Sequence, residues 1–321
     1  MNRSKMATTF AFGLAALLWT GHALHAQAIP PGSAPDEALE SDPKAVEVID
    51  RYLQSVGGRD HLLAIRDRNS RFVNRKFSPT GVTEMKMVRL LKRPKEEGAP
   101  VKIREEWELP GLGLTKEPLH FIQVYDGQKG FVKTMGYVSG LTGRTLTVFV
   151  WDKPIDDFFM TWKDDGYTVK YLGKDTLSGA EADRIQTISF AGKQRMQYWF
   201  DSSTGLLLKK EWSEAGVKGP VRKEVFFDEY LKIRFSDNRD KWVMFPVNQK
   251  IFEGGELSLE KEYQKITINA GMEDSLFGRP DGPAFEDRPQ NNPKKPAGDP
   301  KKPTSKPASK PASKPASKPN G

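Results

Sequence analysis

The chain has 321 residues, contains no cysteine, and carries 50 Lys and Arg against 42 Asp and Glu, for a net charge of +8. The lack of cysteine excludes disulfides, thiol nucleophiles and a lipid-modified cysteine. The charge is unevenly distributed, because residues 293–321 carry eight Lys and one Asp and residues 1–28 add Arg3 and Lys5. The rest of the chain is close to neutral, at −1, which argues against a nucleic-acid-binding domain.

The N-terminus has the pattern of a secretory signal peptide. Two cations precede an apolar run, Ala7–Trp19, and the small residues around Gln27 fit a cleavage site. The run is shorter than the roughly 20 residues that cross a bilayer. We therefore predict a signal peptide over residues 1–28, a linker over 29–41, and export to the periplasm or cell envelope; the alternative is an uncleaved N-terminal anchor.

The first structured element is predicted to be a helix. Asp42 can cap it, Pro43 suits its first position, and Gly57-Gly58 ends it. Its apolar stripe consists of Val46, Ile49, Leu53 and Val56. A short second helix is expected at Asp60–Ile65.

Farther along, the apolar period switches to two, which predicts about ten antiparallel strands. The clearest hairpin is Arg195–Trp212, where an alternating run meets the turn Asp201–Gly205. The other predicted strands are Val82–Leu91, Val101–Trp107, His120–Tyr125, Gly130–Met135, Tyr167–Tyr171, Asp183–Phe190, Arg222–Phe227, Leu231–Phe235, Trp242–Phe252 and Leu257–Ile268. Between them, Lys153–Trp162 has the apolar spacing of an amphipathic helix.

These elements predict a mainly β (α+β) fold. A long antiparallel sheet with one apolar face must curl to cover that face. We expect a single large curved antiparallel sheet that forms a half-open barrel over residues 42–280. The N-terminal helix and the central helix would lie on its concave side.

The order of several short motifs adds a resemblance to a known family. The motifs are Gly57-Gly58 followed by Leu62 and Ile65; Tyr171-Leu172-Gly173-Lys174 followed by Gly179; Tyr198-Trp199-Phe200-Asp201 followed by Thr204-Gly205-Leu206; Phe227-Asp228-Glu229-Tyr230; Phe245-Pro246; and Ile266-Thr267-Ile268-Asn269 followed by Asp274-Ser275-Leu276-Phe277 and Pro280. In this order the chain resembles the outer-membrane lipoprotein carrier and sorting proteins, the LolA/LolB-like family. The resemblance implies a half-barrel with helices as a lid and acyl chains held in its apolar interior.

Aromatic residues are the candidate lining of such a cavity. The predicted lining consists of Trp107, Phe131, Phe158, Phe159, Trp162, Tyr198 and Phe200. Ligand pockets are commonly lined by such side chains, but an ordinary core uses them as well. The central helix is the candidate lid, and a permanently docked plug is the alternative.

Catalytic chemistry finds little support in the sequence. Beyond the leader the only histidines are His61 and His120, which do not form a metal-spaced pair. The adjacent carboxylates are Asp156-Asp157, Asp164-Asp165 and Glu105-Glu106. They leave open a weak alternative, a hydrolase acting on an envelope polymer. We predict no catalytic residue, metal or cofactor.

The C-terminal residues 281–321 are predicted to form a disordered tail rich in Lys, Pro, Ala and Ser, because such repeats cannot bury apolar area. The tail could contact anionic envelope polymers or lipid headgroups, or act as a solvated spacer. The favoured function is a monomeric carrier of a lipid or lipoprotein acyl chain. The alternative is a non-catalytic envelope module attached through the tail.

Overall fold

The computed structural model describes residues 40–96, 98–110, 118–151, 154–189, 194–217 and 219–282. The signal peptide, residues 29–39 of the linker and the tail from residue 283 lie outside the described residues. In the described part, four α-helices lie at Pro43–Ser55 (α1), Arg59–Leu63 (α2), Gly143–Trp151 (α3) and Phe158–Thr161 (α4).

The described strands form one thirteen-stranded antiparallel sheet, which confirms the predicted mainly β architecture. The strands are β1 Asp67–Ser78, β2 Gly81–Lys92, β3 Lys102–Leu109, β4 Leu119–Tyr125, β5 Gly130–Thr134, β6 Tyr137–Leu141, β7 Tyr167–Leu177, β8 Ala180–Ser189, β9 Arg195–Asp201, β10 Leu207–Gly216, β11 Gly219–Arg234, β12 Trp242–Glu253 and β13 Glu256–Ile268. Their order is β6-β5-β4-β3-β2-β1-β13-β12-β11-β10-β9-β8-β7, so the sheet is a half-open barrel whose edges are β6 and β7.

Three strands differ from the sequence prediction. The edge strand β6, Tyr137–Leu141, was not predicted. Strand β1 was not predicted, although it pairs with β2 and β13 in the middle of the sheet. Its buried polar residues, such as Ser70 and Asn74, break the apolar alternation that reveals a strand. The predicted strands Arg222–Phe227 and Leu231–Phe235 are one strand, β11, which continues past Glu229 in the left-handed region (φ 51°).

The predicted helix Lys153–Trp162 was wrong in its extent. Helix α4 begins only at Phe158, because Asp157 is extended and its carboxylate accepts a hydrogen bond from the Phe159 N–H at 2.8 Å. A second helix, α3, precedes it and was not predicted. The apolar spacing nevertheless indicated burial correctly, since Ile155 and Trp162 are both buried.

The predicted first helix is confirmed with its cap. Asp42 accepts a hydrogen bond from the Lys44 N–H at 2.9 Å, and Pro43 is the first helical residue. A glycine is needed where the helix ends: Gly57 has a φ of 125°, and a Cβ there would lie 2.5 Å from the carbonyl oxygen of Trp242 in β12. The turn after the helix therefore packs directly on the sheet backbone.

The Arg195–Trp212 hairpin orients the concave face, which we define as the sheet face covered by the helices. Tyr198 and Phe200 pack in the main core beneath α1 and α4, and Met196 packs at its border, so this side of the hairpin points inward as predicted. The hairpin turn also holds α1, because the Ser55 hydroxyl donates a hydrogen bond to the carbonyl of Thr204 at 2.6 Å.

The segment after the last strand closes the domain. Asn269 accepts a hydrogen bond from the Arg66 N–H at 2.8 Å and donates one to the carbonyl of Ala64 at 2.9 Å. Buried Asp67 accepts from the next backbone amide, at Ala270 (2.8 Å). The chain then places Phe277 in a small second core on the convex face of the sheet.

Candidate ligand-binding face

The connection between the two edge strands crosses the open side of the half-barrel. It runs from Leu141 at the end of β6 to Tyr167 at the start of β7 and contains α3 and α4. Its side chains share one buried core with residues from both halves of the sheet, including Ile103 and Ile185. We call this connection the lid segment.

An aromatic cluster lies where the lid segment meets α1 and the inward side of β9. The ring centre of Phe159 lies 4.9 Å from that of Tyr198, 5.4 Å from that of Phe200 and 5.5 Å from that of Tyr52. Phe158 stacks on Tyr198 at 6.1 Å. Phe159 is 2% exposed and Phe200 is fully buried, so these side chains fill the space that they were predicted to line. We call Phe158 and Phe159 the aromatic plug.

The seven predicted lining residues do not all meet. Phe158, Phe159, Trp162, Tyr198 and Phe200 belong to the main core. Trp107 lies elsewhere in the sheet and stacks on Phe121, with ring centres 5.5 Å apart and planes inclined by 7°. Phe131 alternates with Val132, which packs on the main core, and pairs with Val124 of the convex-face core, so Phe131 lies on the convex side.

A groove of about 240 Å³ lies beside the Trp107–Phe121 stack. Its wall combines apolar side chains such as Met87 and Val88 with charged ones such as Glu106 and Lys86. This volume is below the roughly 300–1,000 Å³ of typical small-molecule sites. The groove is therefore a poorer candidate than the filled aromatic cluster.

Polar contacts fasten the lid segment at its base. Arg93 of the β2–β3 connection donates to the Asp156 carboxylate through Nη1 (3.1 Å) and Nη2. Arg68 of β1 donates to the carbonyl of Pro154 at 3.3 Å. The Tyr52 hydroxyl of α1 donates to the Asp157 carboxylate at 2.5 Å. The base of the plug is thus held from the sheet on one side and from α1 on the other.

Asp157 is an unusual carboxyl because it is half-buried between α1 and the lid segment. Burial raises its pKa, and neighbouring Asp156 acts in the same direction, while the hydrogen bonds from Tyr52 and the Phe159 amide oppose the rise. Burial also raises the pKa of Tyr52 well above its usual value, and the nearby Asp157 adds to that rise. A carboxyl in this setting gains a proton more readily than an exposed one.

A second feature of the concave face was missed by the sequence reasoning. The rings of Phe72, Tyr263 and Phe245 form a ladder across β1, β13 and β12, with successive centres 5.0 Å apart. Three cations lie over its end rings: the Arg89 guanidinium carbon and the Lys261 Nζ each lie 5.3 Å from the centre of Phe72, and the Arg68 guanidinium carbon lies 5.4 Å from that of Phe245. Arg68 and Phe72 share one face of β1, and Lys261 and Tyr263 share one face of β13, because an even spacing along a strand places side chains on the same side. This even spacing is the sequence signal that could have revealed the cluster.

Three of the carboxylates considered for catalysis are paired with arginines. Asp156 pairs with Arg93, Glu105 with Arg89 at 2.7 Å and Glu106 with Arg104 at 2.6 Å. The His61 Nδ1–H donates a hydrogen bond to the carbonyl of Trp242, 2.9 Å away. Among the residues that the structure describes, no group of three or more His, Asp or Glu side chains is arranged to hold a metal ion. None of the helices in those described ranges is both long and apolar enough to cross a bilayer.

The fold is similar to those of several solved structures. A DUF1329 family protein from Desulfovibrio piger ATCC 29098 is similar over 74% of this chain and 98% of its own, with a TM-score of 0.51 and 15% identity. This likeness is one of fold, the curved antiparallel half-barrel that the sequence predicted.

Weaker likenesses extend to two further structures. A putative outer membrane lipoprotein-sorting protein domain from Vibrio parahaemolyticus has a TM-score of 0.47 and 13% identity over 73% of this chain and 96% of its own. A LolA superfamily protein from Nitrosomonas europaea has a TM-score of 0.42 and 10% identity over 73% and 97%. No protein-family model and no curated protein sequence matches this chain.

Proposed function

We propose that this chain is an exported, non-catalytic protein that binds the acyl chain of a lipid or lipoprotein in the concave face of its half-barrel. The observation that carries the proposal is the aromatic plug. Two adjacent phenyl rings, Phe158 and Phe159, pack between α1 and strands β7 and β9 from a helix of only four residues. An acyl chain is the kind of ligand that can take the place of such rings without leaving apolar surface in water.

The attachment of the plug supports displacement rather than permanent packing. Its helix is anchored by hydrogen bonds and an ion pair at Pro154, Asp156 and Asp157, which are polar contacts that can exchange with water when the helix moves. Exposing a buried phenyl ring costs about 1.5–3 kcal/mol. Acyl burial in the vacated space offsets this cost, because each buried methylene contributes about 0.8 kcal/mol.

The two ends of the chain have separate roles in this function. Residues 1–28 direct export to the periplasm or envelope and are removed. The neutral body then acts as a monomer, while the Lys/Pro tail of residues 281–321 contacts anionic lipid headgroups or envelope polymers. Deletion of residues 293–321 tests the tail: loss of envelope association supports the contact, and unchanged association contradicts it.

Co-purification is the first test of acyl binding. We expect native mass spectrometry of the mature protein, purified without detergent, to show a bound lipid that organic extraction recovers. We also expect the delipidated protein to bind the fluorescent fatty acid cis-parinaric acid saturably. Absence of both a co-purified lipid and saturable binding would end the proposal.

A double substitution distinguishes a movable lid from a permanently packed core segment. Phe158→Asp combined with Trp162→Asp should abolish fatty-acid uptake while the sheet stays folded, as judged by far-ultraviolet circular dichroism. Cooperative loss of the whole fold would instead show that both side chains are permanent core, because a buried unpaired carboxylate is strongly destabilising.

A further inference from the structure

The concave face carries more positive than negative charge around the aromatic ladder of Phe72, Tyr263 and Phe245. Arg89 is paired with Glu105, whose side chain is 6% exposed. Neither Arg68 nor Lys261 has a carboxylate oxygen within 4.0 Å among the described residues. Their contacts are the Phe245 ring and the Pro154 carbonyl for Arg68, and the Phe72 ring for Lys261.

The surroundings make these two cations receptive to an anion. Burial lowers the pKa of Arg68 and the neighbouring Arg89 guanidinium lowers it further, while Tyr263 and the carboxylates of Asp156 and Asp157 act in the opposite direction. Cations over aromatic faces are only partly compensated, whereas a phosphate or carboxylate accepts charge-assisted hydrogen bonds directly. The Asn74 side chain beside Lys261 is also incompletely bonded: its amide nitrogen donates to the Met87 thioether at 2.9 Å, and its buried oxygen has no partner in the described structure.

The position of Arg68 connects this cluster to the plug. Its guanidinium donates a hydrogen bond to the carbonyl of Pro154, which lies four residues before Phe158 in the lid segment. An apolar chain in place of the plug would therefore end close to Arg68. An anionic group at that end would exchange the weak carbonyl and ring contacts of Arg68 for an ionic one.

We propose that Arg68, with Arg89 beside it and Lys261 at the other end of the aromatic ladder, makes this part of the concave face the site for the anionic head group of the amphiphile whose acyl chain enters the half-barrel. The ligand class is thus an acyl lipid with a phosphate or carboxylate head, not a neutral lipid. This inference rests on the proposed acyl-binding function. It adds the requirement for negative charge and names the residues that recognise it.

The test compares two ligands that have the same acyl chain but different head groups. The delipidated full-length mature protein is titrated with cis-parinaric acid and with its methyl ester, which has the same chain but an uncharged head group. We expect the acid to bind about tenfold or more tightly than the ester, the scale of one charge-assisted hydrogen bond. Arg68→Gln should remove most of that preference and Lys261→Gln part of it. The readout is the ratio of acid to ester affinity, because Arg68→Gln also removes a contact that holds the plug and changes the affinity for both ligands.

Matched controls lie on the same strands but on the convex face. Lys265→Gln and Arg71→Gln remove equal charge at exposed positions of β13 and β1, and both should keep the preference for the acid. Thermal unfolding of all four variants checks that the fold is intact. A loss of preference in the convex-face variants equal to that in Lys261→Gln would overturn the proposal, because it would show a general charge effect.

The remaining outcomes separate this inference from the function on which it rests. Equal binding of acid and ester, unchanged by Lys261→Gln and Arg68→Gln, overturns the head-group site and leaves acyl binding standing. Saturable binding of neither ligand overturns both. Inorganic phosphate added in excess gives the last comparison: no displacement of the acid supports an amphiphile, and displacement of the acid but not of the ester reassigns the site to a free anion.

Discussion

The Tyr52 hydroxyl donates a hydrogen bond of 2.5 Å to the buried carboxylate of Asp157, joining the N-terminal helix to the first residue before the aromatic plug. The same carboxylate caps the plug helix through the Phe159 amide. One acidic side chain therefore fixes both the start of α4 and its attachment to α1. Its protonation state and its partners should control how firmly the lid segment is closed.

Asp157→Asn should flatten the dependence of stability on pH. Because burial raises the pKa of Asp157 in the folded state, the folded protein holds this proton more tightly than the unfolded chain. Stability is then lost as pH rises from the ordinary Asp pKa, near 3.9, through the raised value. Asparagine cannot ionise but can still cap α4, so urea unfolding across this range should show a smaller loss for the variant.

The exposed Asp164 offers the control for that experiment. Asp164→Asn removes a carboxylate from the same segment without touching the Tyr52 contact, and it should keep the wild-type slope. An Asp157→Asn variant whose stability falls with pH as steeply as that of the wild type would contradict this account of the lid attachment.

Phe159→Ala should lower stability and raise acyl affinity at the same time. Removal of a buried phenyl ring costs about 3–5 kcal/mol of unfolding free energy. If the ring competes with the ligand for the same space, its removal also removes the cost of displacement, and cis-parinaric acid should bind more tightly. Urea unfolding and fluorescence titration measure the two effects on the same sample.

Phe277→Ala is the matched control, because Phe277 is fully buried in the separate core on the convex face. It should be destabilising to a similar degree without a gain in fatty-acid affinity. Weaker fatty-acid binding by Phe159→Ala, with Phe277→Ala unchanged, would mean that Phe159 lines the ligand site rather than filling it.

Gly205→Ala should weaken the docking of α1 on the Arg195–Trp212 hairpin. Gly205 has a φ of 74°, and a Cβ there would lie 2.5 Å from the Ser55 hydroxyl oxygen and 3.3 Å from the Arg51 carbonyl oxygen. We expect a loss of about 2–3 kcal/mol, combining backbone strain of about 1–2 kcal/mol with the steric clash. Gly254→Ala shares the left-handed backbone but faces open space, so urea unfolding should show only the strain. Equal losses would mean that this turn does not hold α1.

The sequence predicted most of the scaffold because its signals are local. Alternation and turn residues revealed the Arg195–Trp212 hairpin, and Asp42 with Pro43 revealed the start of α1. Strand β1 was not predicted because it contains polar residues whose partners lie on β13, which is remote in sequence. For example, Arg75 pairs with Glu262 at 2.9 Å, about 190 positions away.

The candidate site was only partly predictable for the same reason. Apolar spacing indicated that Phe158, Phe159 and Trp162 are buried, but it could not show that Asp157 delays the helix or that Tyr52 reaches it. The face on which Phe131 lies depends on the register of β4 and β5, and the cations near Phe72 come together only through the pairing of β1 with β13. Such features depend on long-range pairing, which no local pattern encodes.

The most direct test of the central claim measures whether an acyl chain displaces the plug. The chain has no cysteine, so Leu63→Cys on exposed α2 and Met160→Cys on α4 introduce unique positions for two spin labels. With oleic acid bound stoichiometrically, as verified by native mass spectrometry, pulsed dipolar spectroscopy should show a new population at longer distance between the labels. An unchanged distance distribution in the oleate-saturated protein would contradict the claim that the ligand takes the place of Phe158 and Phe159.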